Sequence, residues 1–209
     1  MQTEPRRARP GDVCVLLEPA EDEIPSLRQL QMSLQTLFGG RPHERVHLTC
    51  QRFELREERL WPDIVQHLRT HLAAIQPFPI TADSLVLFES RFWQSRLLRW
   101  RIQVTPDVRR FTRLVENGLV AAHVAPPRLL RPVTGSSVGT LHFSPPSGWV
   151  PTLVTALEAI PRANLDRHLS EIAFPQHLFT GRQVVVSKII GERQFDILET
   201  IQLADDRRA

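Results

Sequence analysis

Two short segments of the sequence each carry a histidine followed, two positions later, by a hydroxyl residue. The first segment holds His47 and Thr49, and the second holds His142 and Ser144. Histidine accepts or donates a proton near neutral pH because its free pKa is about 6.5, and a hydroxyl group donates hydrogen bonds to anions. If the fold brings the two pairs together, their side chains could perform acid–base chemistry on an anionic group.

Each pair lies in a segment whose polar and apolar residues alternate, as in a strand with one face on a core. In residues 45–51 the odd positions are polar and the even positions are apolar, which predicts that His47, Thr49 and Gln51 share one face. Residues 140–144 alternate in the same way, so His142 and Ser144 are also predicted to share a face. Each strand therefore displays a histidine together with a hydroxyl group.

Helices and strands surround the two motifs in a similar order in both halves of the chain. Apolar residues at helical spacing predict helices, and alternating or continuous apolar runs predict strands. The other predicted strands are residues 12–18, 83–90, 96–104, 182–190 and 195–203, and the predicted helices are residues 23–38, 57–75, 107–122 and a region from 151 to a break at 161. This order predicts an α+β fold made of two copies of one unit, each led by a histidine motif.

The chain has the composition of a globular protein, with 42% hydrophobic and 23% charged residues among its 209. We predict a single bilobal domain over residues 12–203, with a disordered basic tail over residues 1–11 and a polar tail over residues 204–209. No segment approaches the roughly 18 apolar residues that a membrane helix requires, and no apolar signal core follows the N-terminus. We therefore expect no membrane partner. We also expect the protein to be monomeric and cytoplasmic.

Cysteine and arginine usage narrows the class of partner. Cys14 and Cys50 lie in apolar runs and form no CxxC pair, so neither a disulfide framework nor a zinc site is indicated. The net charge is +3, and Lys188 is the only lysine among the cations. Arginine suits phosphate and stacks on bases, which fits an RNA or nucleotide partner, but a genome whose codons favour arginine would give the same bias.

The paired motifs at residues 47–50 and 142–145 resemble those of the 2H phosphoesterase superfamily, most closely its 2′-5′ RNA ligase-like, RNA 2′,3′-cyclic phosphodiesterase branch. The resemblance extends over residues 13–203 through the order of the elements. It implies two pseudo-symmetric lobes, each an antiparallel sheet with helices on its outer face, around a central cleft. It also implies that His47 and His142 are the acid–base pair and that Thr49 and Ser144 bind the substrate phosphate.

The activity implied by this resemblance is the opening of a 2′,3′-cyclic phosphodiester of RNA or a nucleotide, with 2′-5′ RNA ligation as a further option. One histidine takes a proton from water and the other gives a proton to the departing ribose oxygen, so no metal or cofactor is required. The family assigns His47 as acid and His142 as base, although the symmetric sequence leaves these roles interchangeable. Arg52, Arg91 and Trp93 are candidate RNA contacts.

A non-catalytic RNA- or nucleotide-binding module on the same fold is the alternative function. Pro145 ends the second motif strand early, Ser147 stands where the family often has an arginine, and Arg52 takes the place of an aromatic residue. These departures favour the binding module. Retention of both histidines favours the enzyme.

Two other patterns in the sequence predict chemistry less well, and a third motif is absent. Residues 135–139 match G-x-S-x-G around Ser137, but the prolines that follow exclude the helix that a nucleophile elbow needs. His67 and His71 are four apart on a predicted helix, yet the segment lacks the glutamate of H-E-x-x-H and a third ligand. No phosphate-binding G-x-x-x-x-G-K-[ST] loop occurs in the sequence.

Overall fold

The computed structural model describes ten stretches of the chain: residues 10–38, 41–42, 46–55, 57–90, 95–124, 142–143, 147–148, 154–156, 176–191 and 194–204. Their strands are β1 (Asp12–Pro19), β2 (Arg41–Pro42), β3 (Leu48–Glu54), β4 (Phe78–Ser90), β5 (Ser95–Ile102), β6 (His142–Phe143), β7 (Ser147–Gly148), β8 (Val154–Ala156), β9 (His177–Gly191) and β10 (Gln194–Gln202). Their helices are α1 (Ile24–Phe38), α2 (Trp61–Leu72) and α3 (Pro106–Ala121), with short 3-10 turns at Glu21–Glu23 and Glu58–Leu60.

The main sheet has six strands, and all of its pairs are antiparallel. Its order is β3-β1-β9-β4-β5, with β10 also paired to β9. Residues 183–188 of β9 pair with β1 on one edge and with β10 on the other. The first residues of β4 pair with β9, and its later residues pair with β5. The two longest strands, β4 and β9, therefore connect the other strands: β9 pairs with β1, β10 and β4, and β4 pairs with β5.

One face of the sheet packs on α2 and α3 and forms the main core. Both helices begin with a proline in the first turn, where its missing N–H costs nothing. The core residues of α2 and α3 recur every three to four positions: Ile64, Leu68, Leu72, Val108, Phe111, Val115 and Leu119. They pack against Val13, Val15 and Leu17 of β1. The alternate residues of β1 must therefore lie on the opposite face.

That opposite face, which we call the second face, carries a small apolar cluster of its own. Cys14, Leu16 and Val185 are buried there, and Ile189 and Phe195 pack against them. Leu16 and Val185 are directly paired across β1 and β9. A sheet whose two faces are both apolar needs a covering layer on each side. The second face is therefore the candidate position for a cleft or a packing partner.

The C-terminal end of α3 is closed by His123 in a left-handed conformation, with φ of 59°. The His123 N–H donates to the Val120 carbonyl and the Val124 N–H donates to the Leu119 carbonyl, both at 3.0 Å. This is the hydrogen-bond pattern of a Schellman cap, in which glycine is the preferred residue at the position of His123. A side chain there costs free energy because Cβ crowds the backbone.

His123→Gly is therefore expected to raise the free energy of unfolding by about 1 kcal/mol. Urea denaturation of both proteins measures this difference. His123→Val is the matched comparison, because a β-branched side chain is strained at positive φ and is expected to destabilise the cap. Equal stability of the glycine and valine variants would contradict this account of the cap.

The predicted α+β class with an antiparallel sheet is confirmed. The helix predicted from residue 151 is wrong over Val154–Ala156, which form β8 and pair with β2. Two of these three residues, Val154 and Thr155, are β-branched, which favours an extended backbone. The apolar run has no periodicity that distinguishes a helix from a strand. The single bilobal domain remains a prediction.

The predicted tails lie mostly outside the described residues. Of the tail residues that are described, Gly11 donates its N–H to the Ile189 carbonyl at 2.7 Å, and Ala204 donates its N–H to the Ile75 carbonyl at 2.9 Å. The disorder predicted for residues 1–11 stays a prediction. Within the described stretches, no helix is long and apolar enough to cross a membrane.

Candidate functional site

His47 and Thr49 both belong to the second face of the sheet. Thr49 is paired with Leu16 of β1, and paired residues project from the same face. The His47 ring contacts Phe195, which itself packs against the second-face cluster. The histidine and the hydroxyl of the first motif therefore share a face, which is not the helix-covered one.

The rings of His47 and Phe195 meet edge to face, with centroids 6.1 Å apart and planes inclined by 70°. Strand pairing places them at opposite corners of the β3-β1-β9-β10 part of the sheet, since β3 begins opposite Leu17 whereas Phe195 lies opposite Ile189. Contact between opposite corners requires the sheet to curve along that diagonal, as twisted sheets do. The second face is therefore concave along that diagonal, and His47 is buried there, with only 4% of it exposed.

A β-bulge in β3 changes which side chains reach the second face. Gln51 lies opposite Val15 and Thr49 lies opposite Leu16, so Cys50 is an extra residue between the two pairs. Gln51 therefore projects with Val15 toward the main core, where it is 1% exposed. The prediction that Gln51 shares the face of the motif histidine is wrong, because the bulge interrupts the alternation on which it rested.

The same bulge brings Arg52 onto the second face. Arg52 lies opposite Cys14, whose side chain belongs to the second-face cluster. Its Nε atom is 3.9 Å from Oδ2 of Asp12. The side chains are 20% exposed for Arg52 and 4% exposed for Asp12. Arg52, named from the sequence as a candidate RNA contact, is therefore on the same face as His47 and Thr49.

Both cysteine thiols are buried and neutral at physiological pH. Burial raises the pKa of Cys14 from 9.0 to about 12, and the nearby Arg52 charge opposes this rise in part. Burial also raises the pKa of Cys50 well above 9.0. Because the thiolate is the reactive form, neither cysteine can serve as a nucleophile at the site.

Ser187 is a second-face residue that sequence analysis did not identify. It lies opposite Cys14 and is 1% exposed. Its Oγ makes no hydrogen bond within the part of the chain that the structure describes. A buried hydroxyl without a partner costs about 1–3 kcal/mol. The available signal was a polar residue that interrupts the apolar run of β9.

The second motif lies largely outside the described residues. His142 is the first residue of β6, and its backbone pairs with Gly148 of β7, but its side chain and all of Ser144 are outside the description. Arg91 and Trp93, between β4 and β5 in the sequence, are also outside the described residues. The expected meeting of the two histidines across a cleft, with Nε2 atoms roughly 5–8 Å apart, therefore stays a prediction.

His67 and His71, the two α2 histidines weighed above as zinc ligands, contact each other within the helix. His71 Nδ1 donates to the His67 carbonyl oxygen at 2.8 Å, and the two ring centroids are 6.3 Å apart. The described stretches contain no group of three or more histidine, cysteine or acidic side chains arranged to hold a metal ion. Ser137 lies outside those stretches.

One segment of the sequence matches a known family of phosphoesterases. Residues 17–98 match the model of the family described as LigT like Phosphoesterase, a segment that includes the first histidine motif. No curated protein sequence matches the chain.

The fold is similar to that of several solved structures. E. coli LigT complexed with 3′-AMP aligns with a TM-score of 0.58 at 12% identity, covering 94% of this chain and 100% of that one. TT0787 of Thermus thermophilus aligns with 0.58 at 14% identity, covering 92% and 97%. Usb1 of Kluyveromyces marxianus aligns with 0.50 at 13% identity, covering 93% and 99%.

The class of fold is thus that of LigT, over nearly the whole length of both chains. The sequence match over residues 17–98 and the similar fold agree with the resemblance to the 2H phosphoesterase superfamily noted from the paired motifs.

Proposed function

We propose that the protein is a phosphoesterase that opens 2′,3′-cyclic phosphodiesters of RNA or nucleotides, with His47 and His142 as its acid–base pair. The observation that carries this proposal is the placement of His47 and Thr49 on one concave face of a LigT-like fold. Among the similar structures, LigT is one that was solved with 3′-AMP and with phosphate. A nucleotide phosphate is therefore a reasonable ligand for the equivalent face here.

In the proposed reaction, a water oxygen attacks the phosphorus atom while the bond from phosphorus to one ribose oxygen breaks. His142 takes a proton from the water, and His47 gives a proton to the departing ribose oxygen. Thr49 and Ser144 donate hydrogen bonds to the non-bridging oxygens, which carry the developing charge. The four side chains thus supply proton transfer and charge stabilisation without a metal or cofactor.

A non-catalytic binding module on the same fold is the second candidate, and one observation favours it. His47 is 4% exposed, whereas a general acid must come within hydrogen-bond reach of the substrate oxygen. Turnover therefore requires the concave face to open at His47. A binding module needs no such access to the imidazole, because the rim of the face can bind a nucleotide.

Hydrolysis of 2′,3′-cyclic AMP is the experiment that separates the two candidates. If one histidine must be neutral and the other protonated, we expect a bell-shaped dependence of kcat/KM on pH, with two limbs that belong to the coupled pair. We expect EDTA to leave the rate unchanged. A protein that binds RNA but never turns over would support the binding module. Loss of activity with EDTA and its recovery with zinc would exclude the proposed mechanism.

A further inference from the structure

We propose that Arg52 binds the phosphate that precedes the cyclic end of an RNA chain, so that the site prefers an oligonucleotide to a cyclic mononucleotide. This inference rests on the proposed function, because it takes the reacting phosphate to lie at Thr49. It is carried by the β-bulge, by the distance between Thr49 and Arg52, and by the ion pair with Asp12.

The bulge in β3 changes the face from which Arg52 projects. In an uninterrupted strand, Thr49 and Arg52 would project from opposite faces, because they are an odd number of residues apart. With Cys50 as the extra residue, Thr49 lies opposite Leu16 and Arg52 lies opposite Cys14. Bulges commonly occur beside active sites, where they redirect a side chain. Here the redirected side chain is the arginine.

The spacing between Thr49 and Arg52 suits two neighbouring phosphates of one RNA chain. Leu16 and Cys14 are two residues apart on β1, so the positions opposite them are separated by roughly 7 Å along the strand. This separation is comparable to that between neighbouring phosphates of an extended single-stranded RNA. A phosphate held at Thr49 therefore leaves the next phosphate of the chain near Arg52. A mononucleotide with a 2′,3′-cyclic phosphate has no second phosphate to occupy that position.

Asp12 forms an ion pair with Arg52. Asp12 is the first residue of β1, and its side chain is 4% exposed, so its carboxylate is fixed by the sheet. Its charge attracts the Arg52 guanidinium, whose Nε is 3.9 Å from Oδ2, and so favours a position of that side chain on the second face, where 20% of it remains exposed. A guanidinium presents five N–H donors along different edges and forms bidentate bonds with phosphate. Asp12 is thus a positioning residue for Arg52.

The test compares two substrates: 2′,3′-cyclic AMP and a short RNA that ends in a 2′,3′-cyclic phosphate. For Arg52→Gln we expect kcat/KM to fall about tenfold or more on the RNA, as for the loss of a charged hydrogen bond, and to stay within about twofold on cyclic AMP. Arg110→Gln removes the same charge from an exposed position on α3 and should change neither value. For Asp12→Asn, with Arg52 intact, we expect a smaller loss, confined to the RNA.

The double variant Asp12→Asn/Arg52→Gln is the control for misfolding of the single variants. Both of its new side chains are neutral amides, so no buried charge is left unpaired. Equal losses on both substrates, or no loss on the RNA, would overturn the role of Arg52.

Direct binding of an RNA that ends in a 3′-phosphate distinguishes this inference from the proposed function. If the wild type binds that RNA without turning over its cyclic form, the proposed enzyme fails, and weaker binding by Arg52→Gln still supports the arginine contact. If Arg52→Gln binds as well as the wild type, the contact is excluded. A wild type that neither binds nor cleaves RNA overturns both.

Discussion

Alanine at His47 or at His142 is expected to lower turnover of an RNA ending in a 2′,3′-cyclic phosphate by about 10²–10⁴-fold. Each substitution removes one of the two proton-transfer groups and leaves the other without a complementary partner. Because both protons move in one reaction, the double variant should be little worse than either single variant. Steady-state rates of the three variants, measured at the pH optimum of the wild type, test this expectation.

His123→Gly is the matched control for these variants. It also removes a histidine, but from the exposed end of α3, so we expect wild-type turnover. Thr49→Ala should have a milder effect than the histidine variants, because it removes one hydrogen bond to the phosphate rather than a proton donor. Turnover by His47→Ala at the wild-type rate, with the fold intact by circular dichroism, would contradict the assignment of His47.

Gly181→Ala is expected to lower the free energy of unfolding by about 2 kcal/mol. Gly181 of β9 lies opposite Pro19 of β1 and also opposite Phe78 of β4. A Cβ at this position would be 2.6 Å from Leu17 Cδ2 and 2.9 Å from its Cγ. Leu17 is fully buried in the main core, so it has no space into which to move. Chemical denaturation measures the loss.

Two comparisons separate this clash from a general effect of replacing glycine. In Gly118→Ala the new Cβ is 3.3 Å from Leu68 Cδ2, and the gain in helix propensity offsets the tighter contact, so we expect stability within about 1 kcal/mol of wild type. Leu17→Ala should remove the penalty, so that Gly181→Ala costs little in that background. Additive losses in the double variant would exclude a direct contact between the two residues.

Elements with a clear local period were predictable from the sequence. The apolar spacing in α2 and α3 and the continuous apolar run of β1 depend on neighbours along the chain, so their positions agree with the structure. The early part of β4 was missed because Pro79 lies within it, and proline is disfavoured inside sheets. In the fold, Pro79 pairs with Thr180 of β9, a partner that no local pattern reveals.

The composition of the second face was only partly predictable, because it depends on how strands pair. Alternation correctly placed His47 and Thr49 together, but it misplaced Gln51 and gave no reason to put Arg52 with them. Both outcomes follow from one bulge, which exists only in the register between β1 and β3. The contact between His47 and Phe195 likewise depends on the curvature of four paired strands, which the sequence of one strand does not encode.

The position of β1 in the sheet also limits how early the sheet can form while the chain is being synthesised. Its two neighbours are β3, which follows soon after it, and β9, where Val13 is paired with Lys188. On a ribosome that makes the chain from its N-terminus, β1 therefore keeps one unpaired, strongly apolar edge until β9 has emerged. Contacts between residues so distant in sequence form slowly, and an unpaired apolar edge promotes aggregation. The nascent chain is thus expected to depend on chaperones until β9 is released.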